Sequence, residues 1–281
     1  MGSSWLAPFL IMLREGLEAA LIISIVATYL AQTGRRAWMP VMGVGIFLAA
    51  AMALYVGAAL QWLAAEFPQK QQELFEALVG FLAVAMLTSM VLWMSGSGQA
   101  MAARLRGAVA QATAGGGAGS AWALVGMVFL AVAREGLESV FFLLAVFQQG
   151  AGWQAPAGAL AGVAVAVVVG WLLYRGGIRL NLRRFFGATA LLIVLVAAGL
   201  LAGSLRKLHE AGVWNIGQQP VADFSAVLPP DSVLGSVLSG LLGYQAHPVV
   251  SEAVVYLAYL VVCGALLAWR ARRPVAARRA A

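Results

Sequence analysis

The pentapeptide Arg-Glu-Gly-Leu-Glu occurs twice, as Arg14–Glu18 and as Arg134–Glu138, each time inside a long apolar run. Carboxylates three residues apart stand about 60° apart around a helix, so Glu15 and Glu18 share one seam, as do Glu135 and Glu138. Arg14 lies four residues before Glu18, and Arg134 four before Glu138, so each arginine can hold the second carboxylate of its own motif. Gly16 and Gly136 remove a side chain beside the acids and let another helix or an ion come close. An ionised side chain at the centre of a bilayer costs about 2.5–3.5 kcal/mol on insertion scales. The six ionic groups must therefore satisfy one another or a bound cation. Each motif has a formal charge of −1, and the pair forms a field that attracts cations. The competing reading is an Arg–Glu lattice that only locks two helices together.

Carboxylate oxygens without thiolate or abundant imidazole favour hard ions: magnesium, manganese, calcium or ferric iron. The chain has two histidines, His209 and His247, both outside the apolar runs, and one cysteine, Cys263. That argues against copper, against zinc and against a histidine-rich di-iron membrane enzyme. Further acids stand elsewhere. Glu73 and Glu76, again three apart, open an apolar segment and can either relay an ion or complement the helix dipole. Asp223, Asp231 and Glu252 are possible outer entry groups, with turn and capping roles as the alternative. Met86, Met90 and Met94 recur at helical spacing as core packing.

The elements that carry these groups follow from composition. Hydrophobic residues make up 62% of the 281-residue chain, and mean hydropathy is +0.89, which excludes an ordinary soluble domain. The apolar runs are continuous and do not alternate, which argues against a barrel. The expected fold class is an all-α membrane protein. Hydropathy predicts seven transmembrane helices over residues 5–30, 38–63, 73–95, 120–147, 155–175, 184–208 and 248–270. The first lacks a basic leader, so it reads as a retained helix.

Of the 18 Lys and Arg residues, 13 fall in the segments after spans 1, 3, 5 and 7. By the positive-inside rule the N-terminus is outside and the C-terminus cytoplasmic, which requires an odd number of spans. The basic charge is thus a topology signal and implies no nucleic-acid partner. Residues 9–18 match residues 129–138 at seven of ten positions, an offset of 120 residues that places the motifs in spans 1 and 4. Those spans run in opposite directions. The pattern is an inverted repeat of spans 1–3 and 4–6, with a seventh helix added and the site near the midplane. The whole chain, 1–281, reads as one transmembrane domain. It comprises repeat 1 (5–95), repeat 2 (120–208), an extracytoplasmic loop (209–247) and span 7 (248–270). Within the loop, "PPDSVLGSVLSGLLGY" is too short to span and reads as a re-entrant or interfacial helix capped by Asp231. Gly158, Gly162, Ala166 and Gly170, with Gly43, Gly45 and Gly57, are expected to pack helices closely.

Two such motifs in spans 1 and 4 of a seven-helix chain resemble the oxidase-dependent iron transporter family, the high-affinity ferric iron permeases, and within it the bacterial EfeU-type branch. "QELFEALVGFLAVAMLTSMVLWM" and "DSVLGSVLSGLLGYQAHPVVSEAVVYLAYL" are similar to the same branch, and the likeness covers essentially the whole chain. The resemblance implies a multi-pass bacterial inner-membrane permease importing ferric iron (Fe3+) as its substrate. It implies metal binding by Glu15, Glu18, Glu135 and Glu138, and with less reach by Glu73 and Glu76. Arg14 and Arg134 then orient the carboxylates. It also implies an extracytoplasmic oxidising or iron-delivery partner: a haem peroxidase, a cupredoxin-like protein or a copper oxidase. This chain carries no haem motif, copper cluster or nucleotide loop, so no enzyme activity is expected. A transporter of another hard cation (Mn2+ or H+) and a non-transporting membrane scaffold for a redox partner are the alternatives.

Overall fold

The computed structural model describes residues 5–93, 98–148, 154–176, 182–229 and 232–272. Among them every regular element is helical: α1 (Leu6–Gln32), α2 (Met39–Glu66), α3 (Gln69–Trp93), α4 (Gly98–Ala112), α5 (Gly117–Phe147), α6 (Gln154–Tyr174), α7 (Leu182–Glu210), α8 (Val233–Leu242) and α9 (Val250–Arg272), with a 3-10 turn at Arg36–Trp38. Backbone groups in hydrocarbon have no water to bond, so long apolar runs settle into helices that satisfy their own N–H and C=O groups. Each of the seven apolar segments coincides with a helix of at least 21 residues. Among the described residues, five stretches are long and apolar enough to cross a membrane: Arg36–Glu66, Gln69–Leu92, Gln154–Tyr174, Thr189–Glu210 and Val250–Trp269. The helices α1 and α5 are not among the five. Each is interrupted mid-length by one arginine and two glutamates.

The chain divides into two compact units that interleave along the sequence. One takes Ser4–Phe67 and Gly96–Phe185, and so holds α1, α2, α4, α5 and α6; the other takes Pro68–Ser95 and Phe186–Ala281, and so holds α3, α7, α8 and α9. In the first unit α1 packs along α6, α2 packs along α5, and α1 also meets α5. Small residues make both seams close. A β-carbon at Gly16 would lie 2.7 Å from Ala166 Cβ, and one at Gly170 would lie 2.7 Å from Ala20 Cβ. At Gly158 and Gly162 it would overlap the carbonyl oxygens of Trp5 and Phe9. On the other seam, a β-carbon at Gly45 would lie 2.8 Å from the Val125 carbonyl oxygen, and one at Gly136 3.0 Å from Ala53 Cβ. Of the glycines singled out in the sequence, Gly43 alone has nothing within 4 Å.

The segment between spans 3 and 4, expected to be loop, contains α4. It is too polar to span, but its alanines favour a helix, and its faces differ: Val109 is fully buried while Arg104 and Arg106 are exposed. Arg35 donates to Thr113 just past its end.

In the second unit α3 approaches α7 where Gly80 faces Ser204, and Thr88 meets Tyr259 of α9 at 2.7 Å. The short helix expected in the outer segment is α8. Its cap is Ser232, whose Oγ accepts from Gly235 N at 3.0 Å, and Gly243 ends it in the left-handed region at φ 66°. Asp231, expected as the cap, lies outside the described residues, as do Arg179, Arg273, Arg278 and Arg279 of the basic segments. Ahead of α9, residues 217–224 run antiparallel to 246–251, with Val221 N donating to Pro248 O at 2.9 Å and Phe224 N to Ala246 O at 2.8 Å.

These contacts set an expectation for substitutions. Gly162→Ala pushes a methyl group into the backbone of α1 and should lower stability by about 1–3 kcal/mol. Gly43→Ala meets open space and should raise it by about 0.5–1 kcal/mol through helix propensity. Thermal unfolding of both variants in detergent micelles checks the pair; equal effects would contradict the packing.

Candidate metal centre

Both motifs fall in the same unit, one on α1 and one on α5, and the two helices touch. Arg14 is 2% exposed and grips both carboxylates of its own motif. Its Nη1 lies 2.6 Å from Glu15 Oε1, and its Nη2 lies 2.6 Å from Glu18 Oε1. The second oxygen of Glu15 is buried and has no hydrogen-bond partner among the described residues. On α5 the equivalent arginine behaves differently. Arg134 is 65% exposed and reaches only the second acid of its motif, Nε to Glu138 Oε1 at 3.0 Å.

One oxygen each from Glu15, Glu135 and Glu138 lies within 4.8 Å of the others. Oxygens across an octahedral ion with 2.1 Å bonds are at most about 4.2 Å apart, and across a calcium-sized ion about 5 Å. A small hard cation would therefore draw these groups together by a few tenths of an ångström. Glu18, expected in the same cluster, is held by Arg14 and is not one of the three. Neighbouring hydroxyls leave the acids available. Ser139 Oγ donates to the Glu135 carbonyl at 2.8 Å, and Ser24 Oγ donates to the carbonyls of Ala20 and Gly170, tying α1 to α6.

The other acids fall in the second unit. Glu73 and Glu76 at the start of α3 do not stand free: Lys207 Nζ on α7 lies 2.8 Å from Glu73 Oε2 and 3.0 Å from Glu76 Oε2. The same ammonium reaches Glu210 Oε2 at 2.9 Å. Three carboxylates around one lysine leave a formal charge of −2. Sequence reasoning missed Lys207 and Glu210 as members of this group. Their three-residue spacing at the end of α7 was the available signal, but nothing in it says which acids of α3 they meet.

Glu252, expected at an outer mouth, is buried and paired, with Arg206 Nε 3.1 Å from its Oε1. That pair joins α7 to α9 and occupies the carboxylate. Asp223 is exposed and shapes a turn, accepting from Ser225 N at 2.8 Å and from Ser225 Oγ at 2.5 Å, with His247 Nδ1 3.5 Å away. The Ser225 hydrogen bonds hold its carboxyl below the usual carboxylate range.

The pattern of the iron permease FTR1 family matches residues 5–278. "Ferrous iron permease EfeU" of Escherichia coli O157:H7 is 54% identical over 254 residues, covering 90% of this chain and 92% of that protein. The protein of the same name from Yersinia pseudotuberculosis serotype I is 51% identical over 258 residues, covering 92% of this chain and 90% of its own. The Yersinia pestis protein, also so named, is 52% identical. No solved structure matches the chain.

The two arginines should differ in what they contribute to stability. Arg14→Met leaves two carboxylates without their buried partner and should destabilise by about 3–5 kcal/mol. Arg134→Met strands one carboxylate instead of two, beside an arginine that is itself 65% exposed, and should cost less, about 1–2 kcal/mol. Unfolding of the two variants under identical micelle conditions tests the contrast, and similar losses would contradict it.

Proposed function

This chain belongs to the iron permease FTR1 family, and from that premise we propose that it imports iron through the carboxylates of its two Arg-Glu-Gly-Leu-Glu motifs. Relatives that share half its residues over nine-tenths of its length are named permeases. It is accordingly a multi-pass membrane transporter and not an enzyme. Its relatives are bacterial, which supports the cytoplasmic membrane as the location proposed here.

The observation that carries the reading is the group formed by Glu15, Glu135 and Glu138, with the unpartnered Glu15 oxygen among them. A buried carboxylate oxygen lacking any donor is costly unless a cation visits it. Glu18, one bond network away through Arg14, completes four carboxylates. Hard oxygen donors suit ferric iron, the cargo favoured here. The relatives' name favours ferrous iron as the second reading. Glu73 and Glu76, held by Lys207, serve as accessory acids. An extracytoplasmic oxidising or iron-delivery protein supplies the ion.

The topology proposed is seven spans with the N-terminus outside, built on an inverted repeat. Support comes from two matched seams. Residues of α1 and α5 correspond at an offset of 120 and those of α2 and α6 at an offset of 113. Gly158 against Trp5 then corresponds to Gly45 against Val125, and Gly170 against Ala20 to Gly57 against Val140. Repeated small-residue contacts of this kind are what a duplicated helix pair produces.

Glu15→Gln and Glu135→Gln keep side-chain size and remove charge. Each should lower radiolabelled iron uptake into cells at least tenfold, since even the loss of a residue that only supports a ligand costs metal sites about 10–100-fold. Iron retained by the purified variants at the level of the unchanged protein would sink the proposal.

A further inference from the structure

The motif is repeated in sequence but not in electrostatic setting. Arg14 is buried and bound to two carboxylates at 2.6 Å each, so it cannot leave without stranding both. Arg134 lies on an exposed stripe of α5 with Trp122 and Leu130, and its ion pair among the described residues is the single contact to Glu138. One arginine is a fixed counter-charge; the other can exchange its partner.

That difference has a consequence for the charge of the ion. Glu15, Glu18, Glu135 and Glu138 with both arginines carry a formal charge of −2. A divalent ion neutralises this set while Arg134 stays on Glu138. A trivalent ion leaves an excess of +1 in a low-dielectric helix pair, and swinging the long Arg134 side chain off Glu138 and along α5 toward the membrane interface, where water takes its charge, lowers that excess. Withdrawal also frees Glu138, one of the three acids whose oxygens already lie together. Arg14 cannot make the same adjustment, because its guanidinium is enclosed and doubly engaged.

We propose that Arg134 is a specificity-determining residue that sets the charge of the ion the site accepts. Seated on Glu138 it matches the site to a divalent ion, and displaced it matches the site to a trivalent one. The proposal rests on the carboxylate site proposed above.

The test uses the full chain in micelles with two redox-inert probes, manganese(II) and gallium(III), the latter delivered as its citrate complex. E135Q should lose both metals; if it binds both as before, the site reading itself fails. With that loss in hand, R134Q should raise the ratio of gallium to manganese affinity about tenfold, since one partly exposed charge is removed a few ångströms from the ion. R134K should leave the ratio near its starting value. An unchanged ratio in R134Q, or an equal shift in R134K, overturns the proposal alone. A second measurement needs no variant: modification of Arg134 by phenylglyoxal, followed by peptide mass, should run faster with gallium bound than with manganese. Equal rates overturn it as well.

Discussion

The interaction on which the carboxylate centre depends is the grip of Arg14 on Glu15 and Glu18. Two carboxylates one helical turn apart in an apolar helix repel each other and lose their water. A guanidinium is planar and always charged, and it has enough donors to bridge both. Its two 2.6 Å contacts leave one oxygen of Glu15 without a donor. The helix thus stays folded around an acid pair that is only partly satisfied. A lysine could not serve in the same way, because a point charge does not span two carboxylates in fixed geometry.

That centre also needs two helices to approach closely, and the approach is made by residues without bulk. Hydrocarbon provides no hydrophobic drive between helices, so van der Waals contact between backbones must do much of the work. Gly16, Gly158, Gly162 and Gly170 remove the side chains that would hold α1 and α6 apart, and Gly45, Gly57 and Gly136 do the same for α2 and α5. The motif glycine is therefore part of the packing as well as the chemistry. Gly16 faces Ala166 and Gly136 faces Ala53 directly beside the acids.

The second unit handles its charges differently. Each of its described acids on a helix already has a cationic partner on another helix or its own: Glu73, Glu76 and Glu210 share Lys207, and Glu252 has Arg206. These pairs tie α3 and α9 to the end of α7. An acidic residue near a helix start invites a reading as an ion relay, and in this unit the geometry shows what each acid already holds.

The sequence alone determined the helical class, the positions of the seven long helices, the short helix within 209–247 and the list of acids, because hydrophobic period and charge placement are local properties. Duplication of the motif also made the pairing of Glu15 with Glu135 and Glu138 legible, since a repeat implies a matched partner. It did not reveal α4, whose alanine-rich, arginine-bearing run looks like loop when only long apolar stretches are sought. It did not reveal that Glu252 is paired with Arg206, that Lys207 gathers three carboxylates, or that Ser232 caps α8. Those outcomes depend on which side chains from distant segments share a seam. Tertiary structure alone separated Arg14 from Arg134. The two sit in identical pentapeptides, and only the burial of one and the exposure of the other decide which charge is fixed and which can move.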